Sequence, residues 1–318
     1  MPPPAAGRRP PFALLIAAFA AVYLIWGSTY LAIKFAIETM PPLLMAGLRF
    51  TIAGLLMYGW MRLRGSVPAP TRTQWRSAII VGGLLLLGGN GLICLAQLHV
   101  PSGLAALLVA TVPMWMVLLD WLFSRGPRPT MAVVIGLVLG LGGIFALVNP
   151  AALADKPIHP IGAAAILIAC VSWSIGSLYS RKAPLRQSTM LAIGMEMIGG
   201  GVLLLIVGSL RGEWADVHID AVSLKSIAAF AYLILIGALV GYTAYIWLLQ
   251  VASPAAVSTY AFVNPVVAVL LGWLVASEPM GPRVIIASAL IVGAVVLITL
   301  KRRKAPPSSL PPRRTITI

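Results

Sequence analysis

The chain has 318 residues, of which 60% are hydrophobic and only 10% are charged, and its formal net charge is +15. A soluble domain is typically about 45–50% apolar and about 25% charged, so this composition excludes an ordinary soluble protein. Apolar runs of about 20 residues recur along the whole length, and each is long enough to cross a ~30 Å hydrocarbon layer as a helix. The composition therefore predicts an all-α membrane protein.

Hydropathy and turn residues divide the chain into ten predicted transmembrane helices. Cys94 and Cys170 lie inside separate apolar runs, so we interpret them as small hydrophobic residues and expect no disulfide, metal site or cofactor. The ends, 1–12 and 301–318, are predicted to be a disordered N-terminus and a basic tail. In chain order the predicted spans are 13–33, 43–61, 78–98, 102–122, 131–149, 161–180, 188–209, 226–248, 254–275 and 284–300.

The basic residues collect in alternate connecting segments. With the N-terminus placed inside, seventeen of the 23 Lys and Arg residues fall in the inside segments, five fall outside and Arg49 lies within a span. This is the positive-inside distribution, so the excess charge indicates membrane orientation and not nucleic-acid binding. Both termini are predicted to be cytoplasmic, and the segment 210–225, which carries Glu213, is predicted to face outward.

The two halves of the sequence resemble each other. Trp26 begins a pattern of small and hydroxylated residues, a Tyr and a basic end, and the pattern returns at Trp173, 147 residues later. Each half holds five predicted spans, and because five is odd the second half must be inverted. Inverted repeats around a central site are a common plan of secondary transporters. The repeats are predicted at 13–149 and 161–300, and other matched pairs are Arg49 with Glu196, and Pro113 with Pro265.

Aromatic and uncharged polar residues recur at helical spacing on repeat-related spans. A wall of this kind suits amphipathic organic molecules better than bare ions. Two alternatives remain open: an aromatic near a span end can be an interface anchor, and the amides of Asn90 and Asn264 can bridge helices. Pro113 and Pro265, near mid-span, are candidate hinges because proline kinks a helix. The candidate cavity residues are Trp26, Tyr30, Asn90, Gln97, Trp115, Trp173, Tyr179, Tyr242, Tyr245, Tyr260 and Asn264.

Arg49 and Glu196 occupy matched positions within spans two and seven. Inversion places Arg49 toward the outside and Glu196 toward the inside, about 10 Å apart in height within a ~30 Å core, so we expect no direct salt bridge. One interpretation of each is snorkelling or pairing with nearby carbonyls. In the functional interpretation, Arg49 holds a substrate carboxylate or helix-end carbonyls, and Glu196 is a proton or cation site.

Three stretches carry a family resemblance: WGSTYLAIKFAIETMPPLLMAGLRF at 26–50, VPSGLAALLVATVP at 100–113 and VASPAAVSTYAFVNPVVAVLLGWLVASEPMG at 251–281. They resemble the drug/metabolite transporter superfamily, and more narrowly its ten-helix EamA-type exporters of bacterial inner membranes. The resemblance covers about residues 13–300. It implies a monomeric basket of two inverted five-helix repeats, with a central cavity lined mainly by helices one, three, four, six, eight and nine.

The resemblance also assigns individual positions. The family's arginine in helix two falls on Arg49, and its proline and acid at helix nine fall on Pro265 and Glu278. The first-half acid after helix four is absent, because Arg125-Gly126 stands there. This departure weakens any mechanism that relies on a symmetric acidic pair.

These observations predict a secondary exporter of small amphipathic metabolites, such as amino acids, related compounds or drugs, working by alternating access. A flippase for lipids or lipid-linked sugars on the same scaffold is the main alternative, and a non-transporting scaffold is another. A membrane-embedded enzyme is disfavoured, because the sequence has neither His-Glu-x-x-His nor Gly-x-Ser-x-Gly. Its three histidines, His99, His159 and His218, all lie at or beyond predicted span ends.

Overall fold

The computed structural model describes residues 11–65, 68–100, 105, 108–124, 126–148, 160–185, 188–267 and 282–300. Helices make up nearly all of this part of the chain, and no strand occurs within it. We label the helices in chain order α1 (Phe12–Ile37), α2 (Pro42–Leu63), α3 (Arg72–Ala96), α4 (Val112–Phe123), α5 (Met131–Val148), α6 (Pro160–Lys182), α7 (Thr189–Leu210), α8 (Leu224–Val251), α9 (260–267) and α10 (Pro282–Leu300).

Six of these helices, α1, α2, α3, α6, α7 and α8, are long and apolar enough to cross a membrane, and three shorter apolar stretches lie in α4, α5 and α10. Large apolar side chains such as Leu24, Leu55 and Leu235 remain more than half exposed. In water such a surface would be costly, whereas lipid tails solvate it. The predicted fold class, an all-α membrane protein of the EamA type with two repeats, is confirmed.

Helices α2 and α7 cross in close contact through glycines. An ideal Cβ on Gly54 would lie 2.8 Å from the Gly194 carbonyl oxygen, and one on Gly201 would lie 2.9 Å from the Gly47 carbonyl oxygen. Gly194 lies 147 residues after Gly47, and Gly201 lies 147 residues after Gly54. The pseudo-symmetry of the repeats therefore converts the Gly54–Gly194 contact into the Gly47–Gly201 contact. The low-numbered end of α2 meets the high-numbered end of α7. The two helices are therefore antiparallel, as inversion of the second repeat requires.

Both α3 and α8 contain wide π-helical segments, at Gly83–Gly91 and Leu233–Tyr242. Gly89 of α3 faces the Trp173 ring, since a Cβ there would lie 2.6 Å from it. Sequence reasoning missed the change of helix type. A π-turn alters the direction of the side chains that follow it and is frequent at functional sites. Here the two segments end on Asn90-Gly91 and on Tyr242.

The segment after α7 contains a buried carboxylate. Gly212 adopts a left-handed conformation with φ of 78°, and the next residue, Glu213, is only 7% exposed. Its Oε2 accepts hydrogen bonds from the backbone N–H groups of Leu43 and Leu44, both at 2.9 Å. A carboxylate at this position satisfies free donors at the start of α2 and complements the helix dipole. The segment 210–225 thus supplies a helix cap, which its loop-like sequence did not indicate.

Candidate functional site

Three aromatic side chains, from α6, α8 and the start of α9, pack around Trp26 of α1. Its ring centroid lies 5.4 Å from Trp173, 4.9 Å from Tyr245 and 5.0 Å from Tyr260. The Trp173 indole N–H donates a hydrogen bond to the Tyr245 hydroxyl at 2.7 Å, which fixes both rings. Trp26 and Trp173 are the matched residues of the two repeats, so the repeats meet in this aromatic cluster.

The cluster borders an internal cavity of about 90 Å³. The cavity lies between α1, α2, α3, α4, α6, α8 and α9. Six of these are the helices that the family resemblance implies, and α2 is the additional one. Most of the lining is apolar or aromatic, and Thr29 and Phe50 are lining residues that the sequence interpretation missed. The predicted side chains that the structure brings into the lining are Trp26, Tyr30, Arg49, Asn90, Trp173, Tyr242, Tyr260 and Asn264.

The other four predicted cavity residues are not part of the cavity lining. Tyr245 packs behind Trp26 in the aromatic cluster. Gln97 lies just past the end of α3, and Tyr179 lies 3.5 Å from the Ser77 hydroxyl. Trp115 is partly buried against the core, and its indole N–H has no hydrogen-bond partner among the described residues. Their helical spacing was correct, but spacing does not show which face of a helix points inward.

Among the described residues that line the cavity, one carries a charge, and that residue is Arg49. It is 3% exposed, and its Nη2 donates a hydrogen bond to Asn90 Oδ1 at 2.6 Å. Its guanidinium carbon lies 4.4 Å from the ring centroid of Phe50, and its Nε has no partner among the described residues. Among the described residues, the hydrogen-bond partner of the guanidinium is thus a side-chain amide and not a helix-end carbonyl.

Glu196 lies behind the cavity wall and is 1% exposed. The Tyr242 hydroxyl donates a hydrogen bond to its Oε2 at 3.1 Å, and the Ser180 hydroxyl lies 3.5 Å from its Oε1. Tyr242 lines the cavity, so its side chain connects the cavity to the buried acid. In the described part of the chain no ion pair joins Glu196 to Arg49, in agreement with the expected difference in height.

The Arg49 and Glu196 environments correspond under the repeat. Arg49 contacts Asn90, and Tyr242, which contacts Glu196, lies 152 residues after Asn90. That is the offset that also relates Pro113 to Pro265. Each matched charge is thus bonded to a side chain at the end of the π-helical segment in its own repeat. Sequence comparison found the charges but not these partners.

The two candidate hinge prolines differ in their surroundings. Pro113 is the second residue of α4, and this helix begins directly after a turn at 110–111. Pro265 lies inside α9, and the interruption of the helix there is instead a turn at Ser258 and Thr259. Both chain breaks adjoin the cavity-lining helices. The predicted family positions at Arg125 and Glu278 lie outside the described residues.

The arrangement defines a class: a polytopic helical membrane protein with an internal cavity at the junction of two inverted repeats. The family model for the EamA-like transporter family matches residues 12–149 and 160–300. The chain belongs to this family, and it is therefore a membrane transporter. The family and its relatives' names indicate a transporter and not an enzyme.

Similar proteins agree with this assignment. The inner membrane transporter YedA of Escherichia coli K12 is 41% identical over 288 residues, covering 90% of each chain. The transporter YvbV of Bacillus subtilis is 27% identical, covering 88% of this chain and 90% of its own. A crystal structure superposes with a TM-score of 0.73 at 22% identity, over 92% of this chain, and supports the fold. The apolar helices and the YedA name are consistent with a multi-pass inner-membrane protein.

Proposed function

We propose that the protein is a secondary exporter of small amphipathic metabolites. The observation that carries this proposal is the cavity between the repeats, where Trp26 and Trp173 contact each other and amide side chains adjoin apolar surface. Aromatic faces with a few placed polar groups are typical of sites for small organic molecules. The solute would be an amino acid, a related compound or a drug of small size.

The cavity volume distinguishes this function from the flippase alternative. At about 90 Å³ it is smaller than the ~150 Å³ engineered cavity that admits benzene, so in this conformation it has room for only a small solute. A lipid-linked sugar is many times larger and would require a lateral opening between helices. The dimensions therefore favour a small solute that is enclosed during transport.

Alternating access provides the mechanism. In transporters with inverted repeats, one repeat rocks against the other and opens a fixed central site to each side in turn. The chain breaks before Pro113 and at Ser258–Thr259 give the cavity-lining helices positions at which their two parts can pivot. Pro113 and Pro265 restrict the backbone near these pivots, because each lacks the N–H that would extend the hydrogen-bonded helix.

Glu196 is the proposed proton-coupling residue. A carboxyl group that is buried with two hydroxyl neighbours and no bonded cation in the described structure is suited to gaining and losing a proton. Tyr242 provides the route, since it contacts both the carboxyl group and the cavity. A change in the protonation of Glu196 would alter the hydrogen bond to Tyr242 and so the shape of the cavity wall.

The proposed function includes a membrane orientation and an oligomeric state. The distribution of basic residues supports a topology with both termini in the cytoplasm. The proposed protein is a monomer that binds membrane lipid and no nucleic acid. Reporter fusions after residues 155 and 185 test the orientation. Reporters at the two positions should be active on opposite sides of the membrane, and activity on one common side would contradict the inverted topology.

Flux into proteoliposomes tests the transport function. Vesicles loaded with amino acids, organic acids or drugs should show saturable countertransport that Trp26→Ala weakens. Trp60→Ala, which changes a 57% exposed tryptophan outside the cavity, serves as the matched control and should leave flux unchanged. Absence of saturable flux for every solute would contradict the proposal, and scrambling of a fluorescent lipid instead would favour the flippase.

A further inference from the structure

The Arg49 guanidinium lies in the cavity wall with most of its bonding capacity unused. A guanidinium has five N–H donors, and the described structure supplies one protein acceptor, Asn90 Oδ1 at 2.6 Å. Its Nε is buried without a partner. A fixed charge in this state is strongly unfavourable unless an anion joins it. The guanidinium can therefore offer its remaining donors to an anion that enters the cavity.

The two buried acidic residues of the described structure are already bonded elsewhere. Glu196 accepts the Tyr242 hydroxyl, and Glu213 accepts two backbone N–H groups at the start of α2. No carboxylate belongs to the described lining, and no described acidic side chain forms an ion pair with Arg49. Among the described residues, the lining thus offers one buried positive charge to the cavity without a matching negative charge.

Asn90 makes the guanidinium selective. Its Oδ1 holds one Nη group, which orients the guanidinium plane and leaves the other donors for a solute. A planar carboxylate is the anion that matches two parallel N–H donors of arginine. The rest of the wall consists mainly of aromatic and aliphatic side chains, among them Trp26, Tyr260 and Leu86.

From these observations we infer that the transported solute is a monoanion, with one carboxylate held by Arg49 and a small apolar remainder packed against the aromatic cluster. The inference rests on the proposed transport function and narrows its substrate class. An amino-acid zwitterion fits less well, because its ammonium group would find no carboxylate in the described lining. A simple carboxylate supplies the single negative charge that is missing.

A matched set of probes tests this on the full-length protein in detergent. Isovalerate, isovaleramide and valine share the same branched remainder and differ as anion, neutral amide and zwitterion. The set of propanoate, propanamide and alanine repeats the comparison with a smaller remainder, which suits a cavity of about 90 Å³. Binding is measured by tryptophan fluorescence in chloride-free buffer, since Trp26 and Trp173 adjoin the cavity. This comparison needs no mutation, so it does not depend on any variant folding.

We expect at least one acid to bind about tenfold or more tightly than both its amide and its amino acid, the ratio expected for a hydrogen-bonded ion pair. Arg49→Gln should remove this preference and Arg49→Lys should retain part of it. Arg64→Gln makes the same change in an exposed residue at the end of the same helix and should leave the preference intact.

The inference is overturned if the amide or the zwitterion binds as well as the acid, if Arg49→Gln keeps the preference, or if neither acid binds. Binding of chloride in place of the acids also overturns it. These results are separate from failure of the transport function, because saturable flux of neutral or zwitterionic solutes would refute the anion subsite while upholding transport.

Discussion

Gly54→Ala should destabilise the protein, because this glycine lies at the crossing of α2 and α7. A Cβ there would lie 2.7 Å from the Ile198 amide nitrogen and 2.8 Å from the Gly194 carbonyl oxygen. Both are backbone atoms of α7, so only separation of the helices can relieve the overlap. Overpacking of a well-packed core costs about 1–3 kcal/mol, and separation would also weaken the neighbouring Gly47–Gly201 contact.

Gly59→Ala is the matched control, because Gly59 lies on the same helix and a Cβ there would meet no atom within 4 Å. Both substitutions replace glycine by alanine within a helix, which stabilises the helix by the same amount, about 1 kcal/mol. The difference between the two unfolding free energies therefore reports the cost of the steric overlap at Gly54. The free energy of unfolding of Gly54→Ala should therefore lie about 1–3 kcal/mol below that of Gly59→Ala.

Unfolding of the purified variants in mixed micelles measures this difference. At about 2–4 °C per kcal/mol for a chain of this order of size, the melting temperature of Gly54→Ala should be lower by about 2–12 °C. Equal melting temperatures for the two variants would refute the close backbone contact, and with it the argument for an antiparallel α2–α7 pair.

Three further changes have expected outcomes. Glu213→Gln should lower the melting temperature by several degrees through loss of about 1–3 kcal/mol of charge-assisted capping, whereas exposed Asp216→Asn should not. Glu196→Gln should abolish the pH dependence of transport, and an unchanged pH profile would remove it from proton coupling. Tyr242→Phe should shift that profile while leaving the protein folded, since only the hydroxyl contact at 3.1 Å is lost; an unaltered profile would count against the proposed route.

Much of the fold could be predicted from the sequence because lipid imposes simple rules. A helix that crosses a membrane must be apolar for about 20 residues, and this is visible as a continuous run. The match of Trp26 with Trp173 could also be predicted, since bulky aromatic residues at matched positions of two repeats are easy to recognise. The structure places these two rings 5.4 Å apart.

The site was less predictable, because helical spacing shows which residues share a face but not where the face points. Gln97 and Trp115 followed the expected spacing and still lie outside the lining. The π-helical segments add to this difficulty, since each shifts the side chains that follow it. The partner of Glu213 could not be found from local sequence, because the N–H groups it caps lie 169 and 170 residues away.

The glycine crossing between α2 and α7 has a consequence for the transport cycle. When two inverted halves exchange conformations, contacts on the pseudo-twofold axis map onto themselves, while contacts away from the axis swap roles. The Gly47–Gly201 and Gly54–Gly194 contacts exchange with each other, and both are closed in this structure. In the proposed transport cycle both would therefore stay closed in every state and act as a fulcrum. A disulfide staple engineered across the fulcrum should leave turnover intact, whereas one joining the outer rims of the two halves should arrest it.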